Sequence, residues 1–226
     1  MRVIFNEELK AVADDLDTMV KAVRTAIEGA GNALLHEDID AAQAVIEGDS
    51  AIDSLEERVI DQCVGLLARQ NPVATDLRVV VSTMRLATTF ERMGDLARHI
   101  AETARRTYPE SALTGQSVAL FTQMQEFLNI TANRLVSTLA DRDTNLAEQV
   151  IRDDDKLDAL HSQTFEIMLS DDWTGTKQQL INTVLLGRYM ERLGDHAVSA
   201  ARRVVFIVSG FHPSKEPTRD EDGDIF

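Results

Sequence analysis

The chain of 226 residues carries 38 acidic and 23 basic residues, which gives a formal net charge of −15. This charge disfavours binding to nucleic acid or to an anionic bilayer, because both need an excess of Lys and Arg, and it favours cations or basic protein surfaces as partners. The single cysteine, Cys63, excludes an internal disulfide, and no run of 18 apolar residues is available to span a membrane.

Acidic side chains within the first thirty positions are incompatible with a secretory signal, so we expect a cytoplasmic protein. Proline is absent from residues 1–71 and 110–212, and apolar residues recur there at helical spacing. Asp38 and Asp143, at equivalent places, are predicted N-caps. We predict six long helices, at 5–34, 38–69, 73–107, 112–140, 143–170 and 174–208.

The chain repeats itself at a spacing of about one hundred residues, as expected of two fused units. The segment ERMGD at 91–95 returns as ERLGD at 191–195, and VIEGDSAIDSL at 45–55 aligns with VIRDDDKLDAL at 150–160. The predicted fold class is therefore all-α, with two tandem three-helix bundles related by internal duplication. The predicted units are a first repeat at 1–108, a second repeat at 109–210 and a disordered acidic tail at 211–226.

Each half carries two pairs of carboxylates with a spacing of four residues. Residues four apart share one helix face, where like charges cost a few tenths of a kcal/mol unless something neutralises them. Projection at about 100° per residue aligns these pairs with apolar positions such as Val64 and Phe165, so we expect them to point inward or to the edge of a bundle seam. The pairs are Asp49/Asp53 with Glu91/Asp95 in the first half, and Asp154/Asp158 with Glu191/Asp195 in the second.

These eight carboxylates are the candidate metal ligands. An inward carboxylate must be protonated, paired or bound to metal, and a hairpin of the second and third helices would bring the first-half pairs face to face. Oxygen ligands suit magnesium, calcium, manganese or iron, and zinc also fits. Glu56 and its counterpart His161 are additional candidates, and the histidine would favour zinc or iron. Gly94 and Gly194, inside the repeated motif, indicate close helix approach beside the carboxylates or tight packing alone.

Two alternatives stay open. Arg98 follows Asp95 by three residues and Arg188 precedes Glu191 by three, so ordinary intrahelical ion pairs would make the chain a metal-free helical scaffold. A carboxylate-bridged dimetal enzyme, such as a metal-dependent phosphohydrolase, would need an open coordination position and a nearby acid or base. The sequence offers no catalytic residue, and the Glu-x-x-His element of di-iron bundles is absent.

The motifs resemble those of the PhoU family, bacterial regulators of phosphate uptake built from two copies of a three-helix unit. The resemblance covers about residues 1–210. The stretches that carry it are 52–56 (IDSLE), 67–78 (LARQNPVATDLR), 90–97 (FERMGDLA) and 187–197 (GRYMERLGDHA).

The resemblance implies a dimeric, cytoplasmic accessory protein, held at the inner face of the membrane by its partners. These would be the ATPase subunit of the phosphate ABC transporter and a phosphate-sensing histidine kinase. Such an adaptor, not an enzyme, would restrain phosphate uptake and phosphate-starvation genes. Members of the family carry multinuclear metal clusters on E/DxxxD motifs, which the eight carboxylates match here. The expected metal is iron, zinc, manganese or magnesium, and His161 departs from the acid at the equivalent first-half position.

Overall fold

The structure, a computed structural model, describes residues 2–210, with side chains from Ile4 onward, and the tail predicted at 211–226 lies outside this part. Within it all regular structure is helical, and the six predicted helices are confirmed to within a few residues. None of these helices combines the length and hydropathy that a bilayer crossing needs. The helices are α1 (Arg2–His36), α2 (Ile39–Gln70), α3 (Ala74–Thr107), α4 (Gly115–Asp141), α5 (Thr144–Leu169) and α6 (Lys177–Ser209).

Side-chain caps fix where the helices begin. The carboxylate of Asp38 accepts a hydrogen bond of 2.9 Å from a backbone N–H of the first turn of α2, and Asp143 caps α5 in the same way at 2.8 Å. Both predicted N-caps are therefore confirmed. Helices α4 and α6 begin three residues later than predicted, because Thr114 and Thr176 form capping boxes there.

The six helices form two three-helix bundles that share a central layer. Helices α1, α2 and α3 pack against one another, as do α4, α5 and α6. The bundles meet where α3 packs on α6 and α1 packs on α4, whereas α2 and α5, over residues 2–210, contact only helices of their own bundle. Helices α2 and α5 are therefore outer helices, and the α2–α3 and α5–α6 seams open towards the outside of the protein.

Helices α3 and α6 run antiparallel through the centre of the molecule. The ring of His99 lies 5.4 Å from that of Tyr189, and Arg106 donates a hydrogen bond of 3.5 Å to Asn182. Seven residues forward on α3 thus correspond to seven residues back on α6. Fully buried side chains from both halves, including Phe90 and Met190, belong to one continuous core, so the repeats are packed as a single unit.

The stripe that carries the carboxylate pairs is predicted to point inward or to the seam edge, and its apolar members divide between the two: Ala42, Val45, Ala147 and Val150 are buried in the core, whereas other members lie at the exposed edge of each seam. The reason is that each outer helix has a wide apolar arc, and its two neighbours cover only part of that arc. On α2 the buried positions begin on the stripe and continue beside it through Ile52, Val59 and Cys63. Large exposed members of the stripes are Val64, Leu77, Phe165, Leu169 and Val184, which are 40–84% exposed.

Gly31 lies at the junction between the two bundles, where α1 packs on α4. A Cβ atom on Gly31 of α1 would lie 2.1 Å from Cδ of Gln125, a buried α4 side chain whose amide donates a 3.0 Å hydrogen bond to the Ile27 carbonyl. Because the amide is held in place, we expect Gly31→Ala to lower the free energy of unfolding by about 1–3 kcal/mol, as overpacking does. Urea denaturation measures this change.

Gly48 provides the matched control, because a Cβ atom there meets nothing within 4 Å on the outside of α2. Gly48→Ala should stabilise the protein by about 0.5–1 kcal/mol through helix propensity. Equal effects of the two substitutions would contradict the described junction.

Candidate functional site

Two glycines bring the candidate carboxylates close to the neighbouring helix. A Cβ atom on Gly94 of α3 would lie 3.1 Å from Cδ1 of Ile52 and 3.7 Å from Oδ1 of Asp49 on α2. On α6, a Cβ atom on Gly194 would lie 3.2 Å from Oδ1 of Asp154 on α5. The repeated glycine therefore allows tight helix packing and also places a carboxylate beside the facing backbone.

Arg98 bridges α2 and α3 in the first half. Its Nη2 donates a hydrogen bond of 2.8 Å to Oδ1 of Asp95, and its Nη1 donates one of 2.9 Å to Glu102. Its Nε lies 2.6 Å from Oδ2 of Asp49, an ion pair in which the N–H is poorly aligned for a hydrogen bond. The predicted ion pair between Arg98 and Asp95 is confirmed. The contact with Asp49, a residue of the other helix, makes Arg98 the cation that neutralises this seam.

Glu91 is a half-buried carboxylate of the first half whose ion-pair partner is an exposed arginine. Its side chain is only 15% exposed, and its nearest cation, Arg92, lies 3.4 Å away on a side chain that is 58% exposed. Burial, aided by the nearby charges of Asp95, Glu56 and Asp53 and opposed by Arg92, raises the pKa of Glu91 to about 7. A surface arginine contributes little to such a pair.

The two carboxylates that contact Arg98 have pKa values shifted in opposite directions. Burial raises the pKa of Asp49, aided by Asp53 and Asp95, although Arg98 opposes the rise. Burial also acts to raise the pKa of Asp95, but the hydrogen bond and charge of Arg98 lower it overall. The first cluster is thus a crowded set of acids with one arginine at its centre.

The second-half carboxylates lack such an arginine. Burial, aided by the charges of Asp158 and Asp195 and opposed by Arg202, raises the pKa of Asp154 to about 6. In the part of the chain with described side chains, these three aspartates have no basic group within ion-pair distance. Asp158 and Asp195 are exposed.

Glu191 and His161 border this second cluster. Both carboxylate oxygens of Glu191 lie 2.6 Å from Nη1 of Arg188, so the second predicted intrahelical ion pair is also confirmed. His161 packs its ring 5.2 Å from that of Phe165, and its Cδ2 lies 3.3 Å from where a Gly187 Cβ would be. The imidazole therefore lies in the α5–α6 seam, one helical turn from both Asp158 and Glu191.

The donor atoms of the two clusters suit a divalent cation, but the positions of their side chains do not form a ready metal site. Carboxylate oxygens with one imidazole suit manganese, iron, zinc or magnesium. Among the described residues, however, no three His, Cys, Asp or Glu side chains converge as a ready-made ligand set. The metal site stays a prediction that requires the carboxylates to rotate towards a common point. In the first half it also requires Arg98 to leave the space between Asp49 and Asp95.

Sequence reasoning overlooked Glu102, the third acid that holds Arg98. It lies two turns beyond the repeated motif, where the E/DxxxD spacing gives no signal. The four-residue spacing between Arg98 and Glu102 was nevertheless readable as an intrahelical ion pair.

Comparisons with known proteins agree with this geometry. The family model of the PhoU domain matches residues 16–104 and again 121–204. The "phosphate-specific transport system accessory protein PhoU homolog 1" of Mycobacterium leprae is 34% identical, and the match covers 96% of this chain and 97% of that protein. The PhoU homolog of Deinococcus radiodurans is 32% identical, with 93% and 99% covered.

Solved structures show the same architecture. The crystal structure of PhoU from Pseudomonas aeruginosa superposes with a TM-score of 0.85 at 28% identity, over 92% of this chain and all of that one. The phosphate transport system regulatory protein PhoU from Streptococcus pneumoniae gives a TM-score of 0.80 at 22% identity, covering 92% and 98%, which shows the shared fold.

The raised pKa of Glu91 predicts a pH dependence in chelator-treated protein. The pKa rises from an ordinary value of 4.5 to about 7, so the folded state holds this proton more tightly than the unfolded state does. The contribution of Glu91 to the free energy of unfolding is therefore present at low pH and lost as the pH rises from about 5 to about 8. We expect Glu91→Gln to stabilise the protein by about 1–2 kcal/mol at the higher pH and little at the lower one.

Urea unfolding of wild type and variant at both pH values measures this difference, with Glu57→Gln, on the exposed side of α2, as the control. A Glu91→Gln effect that is the same at both pH values would contradict the described environment of this carboxylate.

Proposed function

Because the chain belongs to the PhoU family, we propose that it is an accessory protein of a phosphate-specific transport system. In this proposal it binds metal ions on its two carboxylate clusters and acts as a regulatory adaptor, not as an enzyme. The relatives named as accessory or regulatory proteins support the link with phosphate transport. The carboxylate clusters support the metal.

The observation that carries the metal proposal is the crowding of like charges at equivalent places in both halves. Burial and neighbouring acids raise the pKa of Glu91 to about 7 and that of Asp154 to about 6. A bound divalent cation would remove this cost, since an opposite charge favours the ionised carboxylates. We propose a multinuclear centre of iron, zinc, manganese or magnesium, with Glu56 and His161 as additional ligands. The principal ligands would be Asp49, Asp53, Glu91, Asp95, Asp154, Asp158, Glu191 and Asp195.

An adaptor needs docking surfaces, and exposed apolar side chains accompany the second cluster. Leu169 is 84% exposed, Ile181 52% and Phe165 43%, all on the outer α5–α6 hairpin. Exposed apolar groups rimmed by charge are common at protein interfaces. We propose that this hairpin contacts the ATPase subunit of a phosphate ABC transporter at the cytoplasmic side. A sensor histidine kinase and a second copy of the chain complete the proposed assembly, which restrains phosphate uptake and phosphate-starvation genes.

A metal-free scaffold is the second candidate function, and ion pairs in both halves favour it. Arg98 already neutralises Asp49 and Asp95, and Arg188 holds Glu191. The two candidates differ in metal content and in the response of the melting temperature to a chelator. A dimetal phosphohydrolase would instead turn over phosphate esters and would lose this activity when the carboxylates are replaced.

The metal proposal predicts that replacing ligands in both halves removes bound metal. In the variant, Glu91 and Glu191 become Gln while Asp95 and Asp195 become Asn, so size is retained and charge is lost. We expect tag-free protein to contain metal and the variant to contain little or none, as measured by elemental analysis. Glu57→Gln with Asp61→Asn is the matched control, because this pair has the same spacing on the exposed side of α2. Equal metal content in variant and wild type would count against the clusters.

The adaptor proposal predicts a direct complex with the purified ATPase subunit of a phosphate transporter. Leu169→Ser should weaken this complex roughly tenfold, which corresponds to about 1.4 kcal/mol, because an exposed leucine would be buried at the interface. Biolayer interferometry measures the affinity, and Ile130→Ser, at a 53% exposed position on α4, is the control. Absence of any complex would remove the adaptor proposal, and equal affinities would place the interface elsewhere.

A further inference from the structure

One face of the central α3–α6 layer is basic, although the whole chain carries a net charge of −15. The contact between His99 and Tyr189 sets the register of the two helices, and this register aligns basic residues of α3 with basic residues of α6. Residues seven apart lie on the same side of a helix. We call this side the arginine face, and its members are Arg78, Arg85, Arg92, Arg192, His196 and Arg203.

Contacts between α3 and α6 bring these cations together at one end of the face. The guanidinium carbons of Arg78 and Arg203, which belong to different helices, lie 5.7 Å and 5.8 Å from the ring centroid of Phe206. Burial, aided by the like charge of Arg85, lowers the pKa of Arg203. Cations of both helices therefore repel one another at this end of the face.

The other end of the face surrounds His196. Burial, aided by the charges of Arg192 and Arg92 and opposed by Asp195, lowers the pKa of this imidazole. Arg92 has carboxylate partners on its own helix, at 3.3 Å and 3.4 Å. Among the residues with described side chains, no carboxylate lies within ion-pair distance of the other four arginines of the face.

Arg78 lies at the point where the chain leaves α6. The helix ends at Gly210, which has a left-handed φ of 76°, and a Cβ atom on this glycine would overlap Nη1 of Arg78. Nε of Arg78 is buried and has no hydrogen-bond partner within the described part of the chain. The residues that follow Gly210 therefore start directly beside the arginine face.

The sequence after Gly210 carries the opposite charge. Residues 216–224 (EPTRDEDGD) contain five acids and one arginine, a net charge of −4, which matches the four arginines without a carboxylate partner. Asp220 lies ten residues beyond Gly210, a reach of up to about 33 Å in an extended chain. Arg192 lies eighteen residues before Gly210, about 27 Å back along α6. The acidic segment is therefore long enough to cover the whole face.

We propose that the arginine face binds residues 216–224 of the same chain. Opposite charges attract most strongly at a partly buried surface, and bringing this segment to the face removes the repulsion between the arginines. While it is bound, the segment excludes other acidic chains from the face. This surface is distinct from the two carboxylate seams, and its role does not depend on the proposed metal sites.

Binding of a fluorescent peptide with the sequence of residues 211–226 to the full chain tests the proposal by fluorescence anisotropy. In the wild type, the tethered segment competes with the peptide at a high effective concentration. We therefore expect the peptide to bind roughly tenfold more tightly, or better, to a full chain whose tail acids are neutralised. This tail-neutral variant carries Glu216→Gln, Asp220→Asn, Glu221→Gln, Asp222→Asn and Asp224→Asn.

Arginine substitutions in the tail-neutral variant locate the binding surface. Arg85→Gln with Arg203→Gln should weaken peptide binding roughly tenfold, because two charges of the face are lost. Arg105→Gln with Arg152→Gln removes the same charge at exposed positions outside the face and should leave binding unchanged. Circular dichroism shows that each variant is folded. Arg85→Gln with Arg192→Gln, at two exposed positions, replaces the first pair if Arg203→Gln disturbs folding.

Tighter peptide binding to the tail-neutral variant, lost with the face arginines and with rising sodium chloride, would support the proposal. Equal affinities of wild type and tail-neutral variant would overturn it, since the tethered segment would not cover the face. An equal loss in the Arg105/Arg152 control would overturn the location. Displacement of the peptide by inorganic phosphate, at an ionic strength where chloride has no effect, would assign the face to a small anion instead. Absence of peptide binding from every folded protein would also overturn the proposal.

Discussion

The repulsion between carboxylates at the two outer seams is the constraint on which the chemistry of this protein depends. Each half sets acids four residues apart on facing helices and then brings those helices together over a glycine. The charges must be neutralised, because burial and crowding together raise the pKa of Glu91 and that of Asp154 towards neutrality. A guanidinium meets this need in the first half. In the second half, Asp154, Asp158 and Asp195 have no such partner within the described part of the chain.

The scaffold keeps these seams in place by sharing one core between the repeats. Helices α3 and α6 cross the centre of the molecule, and each carries one copy of the acidic motif towards its own outer helix. The duplication therefore preserves the backbone and the glycines while single side chains diverge. Arg98 against Val198 and Glu56 against His161 are such differences, and they give two similar frames different charges.

Most of the fold could be predicted from the sequence, because helix boundaries depend on local signals. Proline-free apolar periodicity and the caps at Asp38 and Asp143 placed the helices to within a few residues. The rotation of the outer helices could not be predicted, since periodicity identifies an apolar arc but not the part of it that neighbours cover. Val64 and Leu169 are exposed for that reason. The contact of Arg98 with Asp49 depends on the hairpin register, which sequence spacing along one helix does not give.

We propose that the carboxylate seams bind metal ions in an accessory protein of a phosphate-specific transport system. Anomalous diffraction from crystals soaked in a low concentration of Mn²⁺ tests it most directly, because the peaks locate each metal against named side chains. We expect a peak beside the carboxylate pairs of each half, with Arg98 displaced from between Asp49 and Asp95. Absence of a metal peak from both seams would contradict the proposal.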